Sequence, residues 1–231
     1  MKIAFISDIH SNLHAFKSIL KKIDSLSVDE IFCVGDTVGY NAYPKECLNI
    51  LRNREIISVM GNHDFATVHG NTSWFNNLGI MGVKHSRENL EKDDIDFLKN
   101  LPYELSFNID NINFYLTHGS PRDNLFEYVH PHFSFEKIKE IGKDVSSDVI
   151  VLGHTHIPMG VEVDNKLLLN PGSVGQPRDV ISKSSFMLFD TKNHSYRWFR
   201  VSYDIESACK AIFENNLPQV LCKRLKIGGK M

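Results

Sequence analysis

A chain of 231 residues, 42% of them apolar, can bury a full hydrophobic core as one domain with a modest insertion, and nothing in its composition indicates disorder. A formal net charge of -2 argues against a protein that binds mainly by neutralising phosphate backbones, so nucleic acid is not the expected partner. The four cysteines, at 33, 47, 209 and 222, lack C-x-x-C spacing and read as free thiols of a reducing cytosol; the N-terminal apolar run breaks at Asp8, too early for a signal core or membrane span, so a soluble cytoplasmic protein is expected.

Residues 2–7 predict a first strand, followed at once by Asp8-Ile9-His10. In an extended backbone positions i and i+2 point the same way, so Asp8 and His10 can grip one ion from the same side. Helical periodicity begins at Ser11, with Leu13, Phe16, Ile19, Leu20 and Ile23 in one apolar stripe and Ser11 or Asn12 as cap. Asn12, in the strand-to-helix loop, is placed to reach a substrate, while His14 reads as structural or solvated. The run Ile31-Phe32-Cys33-Val34 suits a strand covered on both faces and cannot hold a charge. The Asp36 that follows Gly35 therefore lies just past the strand, at the carboxyl edge where open α/β sheets bind ligands. Gly39-Tyr40 sits in the next loop, ready to flank a bound group. A helix is expected over 46–53 with Pro44 near its start, then a strand over 55–60 ending in Gly61-Asn62-His63-Asp64. Asn62 offers a neutral oxygen ligand, His63 a titratable group, and Asp64 a carboxylate able to hold the His63 ring in one tautomer.

Residues 65–103 break the alternation and read as a helical insertion, with Trp74 and Phe75 leading in and Asp93, Asp94 and Asp96 at a helix start, where the macrodipole favours negative charge. A hairpin over 104–109 and 112–117 delivers His118. A helix over 133–143 precedes a buried strand over 148–152, which runs into Gly153-His154-Thr155-His156, two imidazoles suited to one ion or to two neighbouring ones. A second hairpin, 161–163 with 166–169, exits through a Gly and Pro loop over 170–178 whose backbone N–H groups, with Arg178, suit an anionic oxygen. A strand pair over 184–190 and 195–202 and helices over 205–215 and 218–225 complete the chain. Lys223, Arg224, Lys226 and Lys230 read as solvated surface.

In this order, Asp8-Ile9-His10, Gly35-Asp36, Gly61-Asn62-His63-Asp64, Thr117-His118-Gly119 and Gly153-His154-Thr155-His156 resemble the calcineurin-like metallophosphoesterases. The likeness is greatest to small prokaryotic members related to diadenosine tetraphosphatases and phosphodiesterases, in part through Gly39-Tyr40. It implies an α/β fold, a four-layer α-β-β-α sandwich of two mixed β-sheets flanked by helices; the second sheet comes from the resemblance and not from periodicity. It further implies two divalent transition-metal ions, one held by Asp8, His10 and His156 and the other by Asn62, His118 and His154, with Asp36 bridging. Oxygen and nitrogen ligands without thiolate favour Mn²⁺ or Fe, with Zn²⁺ or Ni²⁺ as alternatives. The implied activity is hydrolysis of a phosphodiester or nucleotide-like phosphate ester by a dimetal-bridging hydroxide, with His63 protonating the departing oxygen, Asp64 supporting that ring, and Asn12, Tyr40 and Arg178 contacting the substrate. A dinucleoside polyphosphate hydrolase, a phosphomonoesterase and a protein phosphatase are the alternatives. A scaffold on the same fold, similar to the retromer coat subunit, is the rival from another class. The expected partner is a small-molecule phosphate ester, and a homo-oligomer is left open.

Overall fold

The computed structural model describes residues 1–229. In chain order its elements are β1 (Lys2–Ile6), α1 (Leu13–Asp24), β2 (Glu30–Cys33), α2 (Pro44–Asn53), β3 (Ile57–Ser58), α3 (Asn62–His69), α4 (Asn77–Asn89), α5 (Lys92–Lys99), β4 (Glu104–Ile109), β5 (Ile112–Thr117), α6 (Phe135–Gly142), β6 (Val149–Val151), β7 (Met159–Val163), β8 (Lys166–Asn170), β9 (Ser184–Asp190), β10 (Ser195–Val201), α7 (Ile205–Glu214) and α8 (Gln219–Ile227). They form two mixed five-stranded sheets, ordered β10-β9-β1-β2-β3 and β4-β5-β6-β8-β7.

Because β1 is apolar on both faces, it can be covered on both. Ile3 and Phe5 turn toward the second sheet and pack with Phe32, Val34, Phe114, Leu116 and Val151 in the core between the sheets. Ala4 and Ile6 turn the other way, onto Phe16, Ile19 and Ile23 of α1 and Leu51 of α2. The outer face of the second sheet, through Ile150 and Leu168, is covered by Ile138 and Ile141 of α6. The result is the expected order of helices, sheet, sheet, helix. Within it, β1 pairs parallel with β2 and β2 with β3, while β5, β6 and β8 run parallel in the other sheet. The carboxyl ends of five of these strands, β1, β2, β3, β5 and β6, converge on one rim.

Local chemistry sets the boundaries. Asn12 accepts a hydrogen bond from Ala15 N and so starts α1, while Lys21 and Lys22 occupy its last turn. Asp110 and Asn111, both with positive φ, turn the β4–β5 hairpin where expected. The strand expected over 55–60 shrinks to two residues, since Ile56 N donates to Leu51 O and Met60 N to Pro102 O instead of to a sheet neighbour. Helix α3 begins at Asn62, so Asn62 and His63 lie in a first helical turn and not on a strand end.

Two sequence expectations are corrected. Cys209 and Cys222 are joined as a disulfide linking α7 to α8, leaving Cys33 and Cys47 as buried free thiols. Arg224 is only 6% exposed and turns toward Tyr40, because its position on α8 faces the core under α7, whereas Lys223 and Lys226 are solvated. Lys230 lies outside the described residues. Among those described, no helix is long and apolar enough to cross a membrane.

Candidate metal centre

The converging strand ends are laced together before any side chain is considered. Asp8 N donates to Gly35 O, His10 N to Asp36 O and Ser11 N to Thr37 O, tying the loop after β1 to the loop after β2. Gly153 N donates to His118 O, tying the loops after β5 and β6. The turns are tight enough that Asp8, His10, Asp36, His154 and His156 all adopt positive φ, between 47° and 66°. Left-handed backbone is uncommon for residues with a Cβ, least so for Asn, Asp and His, and it clusters at functional sites. This corrects the reason expected for the Asp8/His10 and His154/His156 pairs. They share a side because sharp left-handed turns aim them, not because the backbone is extended. Gly35 has φ +88° and no room for a Cβ, which would lie 2.8 Å from Gly61 Cα; a Cβ on Gly61 would sit 2.1 Å from Asp36 Oδ1.

Three groups of donors result, each with its ligand atoms within 4.8 Å of one another: Asp8, His10 and His156; His10, Asp36 and His63; and Asp36, His118 and His154. Asp36 joins them. Its Oδ1 accepts from His63 N at 2.8 Å, which fixes the carboxylate, and its Oδ2 lies 3.5 Å from His10 Nε2 and 3.3 Å from His118 Nε2. Asn62 Oδ1 is 3.1 Å from the same His118 nitrogen. Asp8 Oδ1 lies 3.2 Å from His156 Nε2.

Tautomers decide what these contacts mean. His10 Nδ1 faces Val38 O at 3.1 Å, His156 Nδ1 faces Gln176 O at 2.6 Å and His118 Nδ1 faces Val34 O at 2.8 Å. A carbonyl only accepts, so each Nδ1 carries the hydrogen and each neutral ring turns a bare Nε2 inward. His10 and His156 then direct two lone pairs at each other across 3.0 Å, and His118 directs one at two oxygens. Both carboxylate oxygens of Asp8 and the Nε2 of His154 are buried with no hydrogen-bond partner. Buried acceptors facing acceptors are costly unless a cation sits among them, so the donor set fits two divalent ions. Electrostatics support the neutral ring at His10 and, at His118, show a negative field from the carboxylates that favours a positive charge, whether a proton or a bound cation. Burial is the largest influence on His10 and, despite Asp36 and Asp8, pushes its pKa down to about 3. Burial also opposes charge on His118, yet Asp36, Asp8 and the Val34 carbonyl raise it to about 9.

The profile of the calcineurin-like phosphoesterase superfamily domain matches residues 1–194. The chain belongs to that superfamily. It is 36% identical to an uncharacterised protein of Methanocaldococcus jannaschii over 98% of each chain. It is 27% identical to a phosphodiesterase of the same organism, over 74% of this chain and 83% of the relative. A metallophosphoesterase from Sphaerobacter thermophilus superposes with a TM-score of 0.85 at 29% identity, covering 99% of each chain. The superfamily is one of phosphoesterases, and its fold implies the divalent ions that the donor geometry accommodates.

Around the candidate metal centre lies a cavity of about 130 Å³ reached by Asp36, Asn62, His63, His154 and His156. Of the residues expected to meet substrate, Tyr40 and Arg178 line it, and Arg178 Nη2 donates to Tyr40 Oη at 3.5 Å. Asn12 does not. It is buried, caps α1 and donates to Gly175 O at 2.9 Å, so its amide is spent on structure. The 170–178 loop also differs from expectation. Its N–H groups at Val174, Gly175 and Arg178 donate to Ser7 O, Asp8 O and His156 O, bracing the ligand loops and leaving the Arg178 side chain as the part that faces the cavity.

Asp64 is redirected as well. Its carboxylate accepts from Asp36 N at 2.8 Å, Gly61 N at 3.0 Å and Val38 N at 3.1 Å, so it positions the Asp36 loop and does not hold the His63 ring. The cause is the helical start at Asn62, which turns consecutive side chains in different directions. Burial, with the Asp36 charge, raises Asp64 to about 7. His63 instead packs between rings, 4.7 Å from His10, 4.5 Å from Tyr40 and 4.5 Å from Phe75, with a buried Nδ1 that has no hydrogen-bond partner. Burial, then His10 and Arg178, hold its pKa well below the ordinary imidazole value. Phe126 and Tyr128, which also line the cavity, escaped the sequence reading. The signal was a run of aromatics and histidines from Phe126 to Phe133 in a stretch with neither helical nor strand period.

Proposed function

We propose that the protein hydrolyses phosphate esters, phosphodiesters first, with two divalent cations held on one side by Asp8, His10 and His156 and on the other by Asn62, His118 and His154, Asp36 between them. The observation that carries this reading is the placement of Asp36 Oδ2 within 3.5 Å of His10 Nε2 and 3.3 Å of His118 Nε2. A single buried carboxylate oxygen shared by two donor sets is what two close cations require. When bound, such ions supply Lewis acidity, activating water at neutral pH and polarising phosphoryl oxygens.

The chain's own residues do the rest. Arg178 draws a non-bridging phosphate oxygen to the cavity mouth, and Tyr40 orients that guanidinium. His63, pressed against Gly39 and walled by Tyr40 and Phe75, is the group left to protonate the departing oxygen. Its pKa is held low in the free protein, chiefly by burial, and the negative charge of an arriving phosphate opposes that shift. Asp64 keeps Asp36 and the Gly61 turn in register. Mn²⁺ is the ion we assign first, since oxygen donors and imidazoles are present without thiolate.

The test is a panel assayed with Mn²⁺: an aryl phosphodiester, the matching aryl phosphomonoester, a cyclic nucleotide and a dinucleoside polyphosphate. Faster turnover of the diester supports the proposal. Preference for the monoester overturns the diester assignment, and no turnover by protein shown to contain metal overturns the enzymatic one in favour of a scaffold.

A further inference from the structure

Resting on that reading, we propose that Trp74 and Phe126 form a stacking shelf for a planar heteroaromatic base, which makes the substrate an ester of a nucleoside monophosphate. Trp74 is 72% exposed, the least covered of the large aromatic side chains, yet it is not stray surface. Its ring stacks on Phe126 with centroids 5.3 Å apart and planes 26° from parallel, and both rings line the metal-centre cavity. Phe126 is in turn braced edge-on by Phe65 at 6.3 Å. One face of the indole is thus backed by a fixed ring while most of its surface stays open to solvent.

Leaving a Trp so exposed forgoes a large hydrophobic gain, and clustered exposed apolar rings mark binding sites. The cavity's polar composition narrows the ligand. Among the described residues lining it, Arg178 is the one guanidinium or ammonium, enough for one phosphate beside two cations but not for a polyphosphate chain. The remaining wall of the mouth, Trp74, Phe75, Phe126 and Tyr128 with the neutral amide of Asn76, offers mainly flat π-surface and no additional formal charge. A single phosphate carrying a flat ring meets both halves of the site. An extended phosphopeptide or a phosphorylated polyol would leave the aromatic half without a partner.

The experiment measures binding and turnover separately. Calorimetric titration of the Mn²⁺-loaded protein compares thymidine 5′-monophosphate with 2-deoxyribose 5-phosphate, which carries the same sugar and phosphate without the base. The expected result is about tenfold tighter binding of the nucleotide, within the range of base–aromatic stacking. That preference should fall to near unity in Trp74→Ala and be largely restored in Trp74→Phe; the exposure of Trp74 lets both variants keep the fold. Equal binding of the two ligands by the unaltered protein, or a preference that survives Trp74→Ala, overturns the shelf. Turnover is then read on two esters with one leaving group, p-nitrophenyl thymidine 5′-phosphate and methyl p-nitrophenyl phosphate. Hydrolysis of both with equal KM defeats the shelf and leaves the phosphoesterase reading intact. A Trp74-dependent nucleotide preference without hydrolysis of either ester defeats the phosphoesterase reading and leaves the shelf.

Discussion

At the candidate metal centre, five of the seven proposed ligands hold left-handed backbone, an arrangement that costs of order 1–3 kcal/mol per residue and persists only where its surroundings enforce it. Asp and His tolerate this conformation better than most residues, so the positions select for these side chains twice, as donors and as turn formers. Asp36→Asn preserves shape and turn but removes the shared charge; the variant should fold and retain markedly less metal after dialysis, as elemental analysis would show. His63→Ala should keep its metal and lose about 10²- to 10⁴-fold in turnover. Asp64→Ala leaves three buried N–H groups unsatisfied and should lower the unfolding free energy in urea by at least about 2 kcal/mol. Away from the centre, His14 on α1 has its pKa lowered chiefly by burial. A folded value below the unfolded one means that its contribution to stability is full above about pH 6.5 and is lost progressively as the pH falls from there through the lower folded value. Replacement by Gln should flatten the acid side of the stability profile, seen as a smaller drop in melting temperature between pH 7 and pH 5. At this scale the sequence disclosed identities better than reasons. Asp8, His10, Asp36 and the later histidines stood out because each followed an apolar run, but the left-handed turns that aim them depend on hydrogen bonds such as His10 N to Asp36 O, between segments far apart in the chain.

Elements were legible where local rules were strong. The β4–β5 hairpin falls where alternation and the Asp110-Asn111 turn place it, and α5 starts among the acidic residues that favour its N-terminus. Elements failed to show where distant partners decide. The short β3 owes its limits to carbonyls of Leu51 and Pro102, and that difference moves His63 onto a helix and away from Asp64. The α7–α8 pairing was missed for a similar reason, since Cys209 and Cys222, thirteen positions apart, lack a spacing that announces a bond. Closing a loop of that size is worth about 3 kcal/mol in the chain-entropy account. Cys222→Ser should therefore lose a stabilisation of that order in denaturant titrations, and a reductant should bring the unaltered protein to the same midpoint.

Across the whole molecule, the proposed ligands are divided between the two layers. Asp8, His10, Asp36 and Asn62 follow strands of one sheet, and His118, His154 and His156 follow strands of the other. Ions bound there join the two halves of the sandwich as well as serving chemistry. Metal at a hundredfold excess over its dissociation constant adds about 2.7 kcal/mol to stability. For a chain of this size that corresponds to roughly 5–10 °C in melting temperature, which a chelator should remove in a calorimetric scan. The division was invisible to periodicity. The antiparallel pairing of β1 with β9 joins Lys2 to Asp190, and no local pattern reports so distant a match.

The chain's two tryptophans occupy unlike surroundings. Trp198 is half-buried, its indole N–H donating to Asn170 O, while Trp74 stands in water beside the metal centre. The red edge of the protein's ultraviolet emission therefore belongs to the rim of the site, and an arriving molecule can be followed by quenching of that light without any label.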